Sequence, residues 1–112
     1  MGGAPAADAA GVVVWYGILP ILVVRFTFDP AKSAANRVKH GIDFVQAQAL
    51  WRDPERLERA ARSTTEPRTQ VIGTIEGKVW SAIVTIRENT IRLISVRRAR
   101  RDEHARYHRR ED

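Results

Sequence analysis

The chain has no cysteine and a single methionine in 112 residues. A disulfide framework is therefore excluded, and a zinc site would have to be built from histidine and carboxylates alone. Acidic residues are outnumbered, 13 against 19 Lys and Arg, and aromatics make up only 7%. No apolar run reaches the roughly 20 residues that a membrane-spanning helix needs. The uncharged stretch Ala9 to Val24 stops at sixteen residues and is interrupted by Pro20. A secretion signal wants a basic start, yet Asp8 is the only charged side chain before Arg25. Gly-rich phosphate loops, a Ser/His/Asp order, paired-carboxylate motifs, metal-ligand spacing and internal repeats are all missing. The sequence thus gives no expectation of a metal, a cofactor or a membrane partner.

What is present is positive charge on one modest domain. The sequence pI is near 10.7, which calls for a polyanionic partner. Arginine dominates the excess, and its planar fork suits phosphate, so nucleic acid leads over an anionic membrane or an acidic protein. The charge is concentrated at the end. Residues 97–110 hold seven arginines against Asp102 and Glu103, a net +5 of the chain's formal +6. Just before them, residues 90–96 alternate, with Ile91, Leu93 and Ser95 on one side and Arg92, Ile94 and Val96 on the other. That period of two predicts a strand that delivers the cationic segment to a fixed place.

In chain order, residues 1–24 form an apolar leader with little structure, or one whose last residues extend the first strand. A start of translation near Val23 or Val24 would account for the break in composition. The domain is expected over 25–112. A strand over Val23–Phe28 leads into Asp29-Pro30, a helix start with an N-cap carboxylate and proline at the first position. Ala31, Ala35 and Val38 fall on one face of that helix, Lys32, Asn36, Lys39 and His40 on the other, and Gly41 caps its end. Asp43 and Gln46 open a second helix, whose buried stripe is Phe44, Ala47, Leu50 and Trp51. Residues 52–68 are charged and weakly patterned, and are expected as loop. Strands follow over 69–75 and 78–86, joined by Glu76-Gly77, then the strand over 91–96 and a last helix from Ala99. The order is β-α-α-β-β-β-α, an α+β domain with an antiparallel meander. The last helix has a thin apolar stripe (Ala99, Ala105, Tyr107) and must dock to persist.

Three groups could carry chemistry. Lys32, Lys39 and His40 share a helix face, which alone reads as an ordinary solvated surface. Arg97, Arg98 and Arg101 accompany Glu103, Arg106 and Tyr107; Glu103 could equally be an intrahelical partner for Arg106. Arg68 stands just before a strand, two residues after Glu66. Cleavage of RNA by its own 2′-hydroxyl needs a base, an acid and cations for the phosphorane, which such residues can supply without a metal.

The run Phe26-Thr-Phe-Asp-Pro-Ala-Lys32, then Asn36, Lys39-His40-Gly41, Phe44 and Ala47, resembles the BrnT family of bacterial toxins. The second half fits as well, with Glu66-x-Arg68, Ile72-Gly73, Ile91 to Ala99, Glu103 and Tyr107. The resemblance implies a cytoplasmic ribonuclease toxin of a type II toxin–antitoxin pair, with a RelE-like fold. It also implies that the toxin cuts RNA to block translation. Its partner would be a BrnA-like ribbon-helix-helix antitoxin, through which alone it would reach operator DNA. Arg68, Arg97, Arg98, His40, Glu103 and Tyr107 become catalytic candidates, and Lys32, Lys39, Arg101 and Arg106 RNA contacts. The family often carries Asp-x-x-His-Ser where this chain has Arg59-Ala-Ala-Arg62-Ser63. The rival reading is a basic RNA-binding module or inactive relic that does not cut; a second is a membrane-tethered regulator using the leader.

Overall fold

The structure is a computed structural model that describes residues 12–16 and 19–109, and the side chains of 24–109. Six strands form one mixed sheet in the order β1-β2-β6-β5-β4-β3. They are β1 (Val12–Tyr16), β2 (Leu19–Thr27), β3 (Leu57–Ala61), β4 (Arg68–Ile75), β5 (Lys78–Arg87) and β6 (Thr90–Arg98). All neighbours are antiparallel except β2 and β6. Two α-helices, α1 (Pro30–His40) and α2 (Arg101–Arg109), and a 3-10 helix (Gln46–Arg52) complete the α+β fold. No helix among the described residues is long and apolar enough to cross a membrane. Of the expected leader, residues 1–11, 17 and 18 lie outside the described residues; β2 starts within it, at Leu19.

Local signals act where they were expected. Asp29 accepts from the amide of Ala31 at 2.8 Å, and Gly41 ends α1 in the left-handed region at φ 81°. Asp43 and Gln46 exchange backbone-to-side-chain hydrogen bonds of 2.9 and 2.7 Å. The β4–β5 turn has positive φ at Glu76 and Gly77, the twist a two-residue hairpin prefers. Phe44, Ala47, Leu50 and Trp51 are all buried, with Trp51 edge-on to Phe26 at 5.0 Å and Phe44 edge-on to Phe28 at 5.8 Å.

Three expectations are corrected. Residues 57–61 are not loop: β3 pairs with β4 from Leu57 opposite Ile72 to Ala61 opposite Arg68. Its order comes from the ladder and from Arg59, which donates to Gln70 at 2.7 Å, so no apolar alternation marks it. In β6 a register shift pairs Leu93 with Val84 and Ser95 with Ile83, leaving Ile94 unopposed. The extra residue puts Val96 among the buried side chains with Ile91 and Leu93, where strict alternation would have placed Ser95.

The third correction concerns α1, which docks by its polar face. Ser33 and Asn36 are buried, while Val38 is 89% exposed and Ala31 and Ala35 lie outside. The cause is an open strand edge. β2 pairs with β6 only at Thr90 to Arg92, so Val96, which pairs with Ala82 of β5 on one side, has no strand on the other. Asn36 Nδ2 donates to the Val96 carbonyl at 2.9 Å, and the Val96 amide donates to Asn36 Oδ1 at 3.2 Å. The carboxamide thus acts as one residue of an absent neighbouring strand. It also donates to the Ile42 carbonyl at 2.8 Å, while Ser33 Oγ accepts from the Phe44 amide. Buried backbone groups must be paired, and this need outweighs the small area of three alanine- and valine-sized side chains.

Asn36→Ala should therefore cost about 2–4 kcal/mol, because it orphans buried backbone groups. Val38→Ala should stay within about 0.5 kcal/mol. Urea unfolding of the two variants separates them; equal costs would contradict this account of α1 docking.

Candidate nucleic-acid interface

Directly paired residues share a face of a sheet, so the register sorts the side chains into two sets. Phe26, Val71, Ala82, Val84, Leu93 and Val96 belong to the buried core. The other face carries Thr27, Arg59, Arg68, Gln70, Ser81, Thr85, Arg92 and Arg97, by the pairings of β2 through β6. It is rich in arginine and other polar groups, with Ile72 and Ile83 set among them by the same pairings. α2 covers one end of it.

The helix is fixed there by Glu103. One carboxylate oxygen accepts from Arg97 Nη1 at 2.8 Å and from the Arg100 amide at 2.9 Å. The other accepts from Arg97 Nη2 and Gln70 Nε2, both at 2.8 Å. The Arg100 contact caps the N-terminus of α2 by reaching back from its third residue. Gln70 passes the network on, donating to Ser81 Oγ and accepting from Arg59 Nε. The Arg97 hydrogen bonds outweigh burial and, with those from Arg100 and Gln70, lower Glu103 to about 2. Arg97 is correspondingly raised, first by its hydrogen bonds to Glu103.

A second attachment lies one turn on. Tyr107 donates to Asp53 Oδ2 at 2.6 Å, where the amide and hydroxyl of Thr74 also donate. Burial, reinforced by the bond to Asp53, pushes the Tyr107 phenol up to about 12. Burial pushes Asp53 up, but its hydrogen bonds from Tyr107, Thr74 and Glu55 together hold it below the usual value. Gly73 makes this approach possible. A Cβ there would stand 3.1–3.2 Å from Leu50, Arg56 and Asp53.

The candidate residues separate accordingly. Arg97 and Glu103 meet, and Tyr107 follows on the same helix. Arg98 extends the strand but turns the other way, with its guanidinium 5.5 Å from the Trp80 ring centroid. Glu103 pairs with Arg97, not with Arg106, which is exposed like Arg101. Lys32 and Lys39 are exposed on α1 and His40 is half-buried there; no hydrogen bond or ion pair joins them to α2 among the described residues. Asp53 and Gln70 were not singled out from the sequence. Asp53 reads there as a helix stop, and only a polar side chain at an inward strand position could have marked Gln70.

Arg68 stands apart. Its Nε is buried without a hydrogen-bond partner. It lies one residue beyond the Thr69–Val84 pair, in line with Thr85, which pairs with Arg92, which in turn pairs with Thr27. At about 4.8 Å between strands, the Arg68 and Arg92 backbones are roughly 10 Å apart. Beside this row opens a cleft of ≈ 620 Å³ lined by Thr27, Thr85, Thr90, Arg87, Arg92, Ile86, Glu88 and the Glu66-Pro67 loop.

The pKa of Glu103 gives a pH signature. Its folded value is depressed from 4.5 to about 2, so its contribution is full above pH 4.5 and is lost as pH falls towards 2. The linked stability is on the order of 3 kcal/mol. Protection of α2 amides against hydrogen exchange, taken relative to the intrinsic rate at each pH, should fall across that window in the wild type. In Glu103→Gln the protection should already be low at neutral pH and should change little across the same window.

Comparison with curated proteins gives no match to this chain. A family model described as "Ribonuclease toxin, BrnT, of type II toxin-antitoxin system" matches residues 28–103. That span runs from the end of β2 through the 3-10 helix and all of β3 to β6 to Glu103, and so includes Arg68 and the Arg97–Glu103 pair. The chain therefore belongs to the BrnT family of ribonuclease toxins of type II toxin–antitoxin systems.

Proposed function

We propose that this protein is a metal-independent endoribonuclease that cuts RNA on the arginine-rich sheet face and thereby blocks translation in the cytoplasm. The observation that carries the reading is Arg68, a strand-borne guanidinium with a buried, unpartnered Nε next to Pro67 on the wall of an open cleft. An unsatisfied buried donor costs stability and calls for an explanation, and an incoming phosphate oxygen supplies one.

In the proposed reaction the 2′-oxygen attacks the adjacent phosphorus and the bond to the 5′-oxygen breaks. The 2′ proton passes to a base and the leaving oxygen gains one. A 2′,3′-cyclic phosphate and a 5′-hydroxyl remain. Arg68 stabilises the extra negative charge of the phosphorane, a task that a guanidinium performs at any physiological pH. Glu103 and Tyr107 serve as positioning residues in this reading. The first remains a carboxylate committed to Arg97, and the second keeps its proton on Asp53. Arg97 holds α2 in place and Arg98 braces the strand end against Trp80. Lys32, Lys39, His40, Arg101 and Arg106 steer and hold the RNA backbone through solvent.

The meander of β4, β5 and β6 under a C-terminal helix supports a RelE-like relationship. A BrnA-like ribbon-helix-helix antitoxin is the proposed protein partner, and operator DNA is reached through that complex alone. The alternative is a non-catalytic module on the same surface, which binds RNA and leaves it intact.

Single-turnover cleavage of a defined RNA at saturating protein, in EDTA, decides between them. Wild-type protein should generate new ends. Arg68→Ala should slow cleavage by about 10²- to 10³-fold with an unchanged circular dichroism spectrum, as loss of an oxyanion-type donor does. Arg106→Ala should weaken binding modestly, in a way that added salt mimics. Bound but uncut RNA would favour the non-catalytic module.

A further inference from the structure

The cleft beside Arg68 has a chemistry of its own. Its floor alternates threonine and arginine. Thr85 pairs with Arg92, Arg92 with Thr27, and Arg87 with Thr90. The hydroxyls of Thr27, Thr85 and Thr90 make no side-chain hydrogen bond among the described residues, and Arg87 and Arg92 make no ion pair there. Glu66 and Glu88 stand on the wall. A volume of ≈ 620 Å³ lies within the range of small-ligand sites, well below what a stacked duplex would need.

Each component matches a part of one nucleotide. A guanidinium fork suits a phosphate, and its flat face can stack on a base. Threonine hydroxyls both donate and accept, as base edges and a ribose 2′-hydroxyl require. A carboxylate accepts from an exocyclic amino group. Arg68 shares a row with Thr85 and Arg92 and follows Pro67 on the wall, so a nucleotide seated here lies beside the phosphate that Arg68 would meet.

We infer that this cleft seats one unstacked nucleotide of the RNA next to the bond that is cut, and so sets which base flanks the cut. The inference rests on the ribonuclease reading for the meaning of the site, and on the cleft alone for binding. It implies that the toxin acts on single-stranded RNA, because a paired base cannot enter a one-nucleotide cleft.

The test has two arms. In the first, short 2′-O-methylated oligonucleotides, which bind but cannot be cut, are varied at one position at a time and titrated against wild type, Thr85→Val, Glu66→Gln and Arg92→Ala. Thr85→Val keeps the β-branched shape of a strand residue, and Glu66 lies in a loop, so neither tests the fold. Wild type should prefer one base at one position by about 5- to 10-fold, the worth of one or two hydrogen bonds. Thr85→Val and Glu66→Gln should reduce that preference several-fold while affinity for the other bases stays level. Arg92→Ala should weaken all sequences alike and lower the salt slope by about one phosphate. In the second arm, the ends of a natural-sequence RNA are mapped, and the preferred base should flank the cuts in wild type and not in Thr85→Val. A base preference that survives Thr85→Val and Glu66→Gln unchanged, or none in wild type, overturns the inference. A cleft-dependent preference without any cutting supports the cleft as a nucleotide site and removes only the ribonuclease reading.

Discussion

The Glu103 carboxylate accepts four hydrogen bonds, and the layout of the polar face depends on it. Two come from the fork of Arg97, one from Gln70 in the middle of β4 and one from the backbone that starts α2. Taking a carboxylate and a guanidinium out of water is costly, and the pairing is stable because every lone pair in the direction of the sheet is used. One consequence is mechanical: a short helix with little apolar surface is held at one end of the face. The other is electrostatic. The most prominent arginine of the cationic segment is already neutralised, which leaves Arg68, Arg87 and Arg92 as the cations beside open space.

The same economy of polar contacts recurs at the sheet's edges. Where β2 diverges from β6, the Asn36 carboxamide stands in for a strand. Where β3 begins beside β4, the Asp53 carboxylate accepts from the Thr74 amide that the ladder leaves over. Both side chains also fix a helix: Asn36 belongs to α1, and Asp53 receives Tyr107 of α2. Strand edges that would invite pairing with another chain are thereby closed by single residues. Gly73 contributes by omission, since a Cβ there would press on Leu50, Arg56 and Asp53 at 3.1–3.2 Å and make them give way.

For a family member of this type, function follows from the contrast between the two ends of one face. Under α2, Arg97 and Glu103 neutralise each other and Asp53 receives Tyr107, so the groups that fix the helix are already satisfied. At the Arg68 end, a buried donor, paired threonines and free guanidinium groups surround a cleft. A polyanion is drawn to unneutralised charge in a concave site, where the field is focused. The total of positive charge in the chain says little about where a polyanion is drawn; its pairing state says more.

What the sequence determined by itself was local. Asp29-Pro30, Gly41, the Asp43–Gln46 box and Glu76-Gly77 act within a few residues through backbone conformation and near hydrogen bonds, so each could be read without the fold. The stripe of Phe44, Ala47, Leu50 and Trp51 was equally legible, because burial of large apolar groups dominates its energy. The motifs from Phe26 to Tyr107 carried the family resemblance in the same way. The tertiary structure decided the rest. Which face of α1 is buried depends on an open edge at Val96, 60 residues from Asn36. The sides of β6 depend on a bulge at Ile94, and β3 on a ladder with β4. Whether Arg97 or Arg68 is free for RNA depends on the partner that Glu103 finds. These outcomes are set by hydrogen bonds between distant segments, and no pattern within one segment encodes its distant partner.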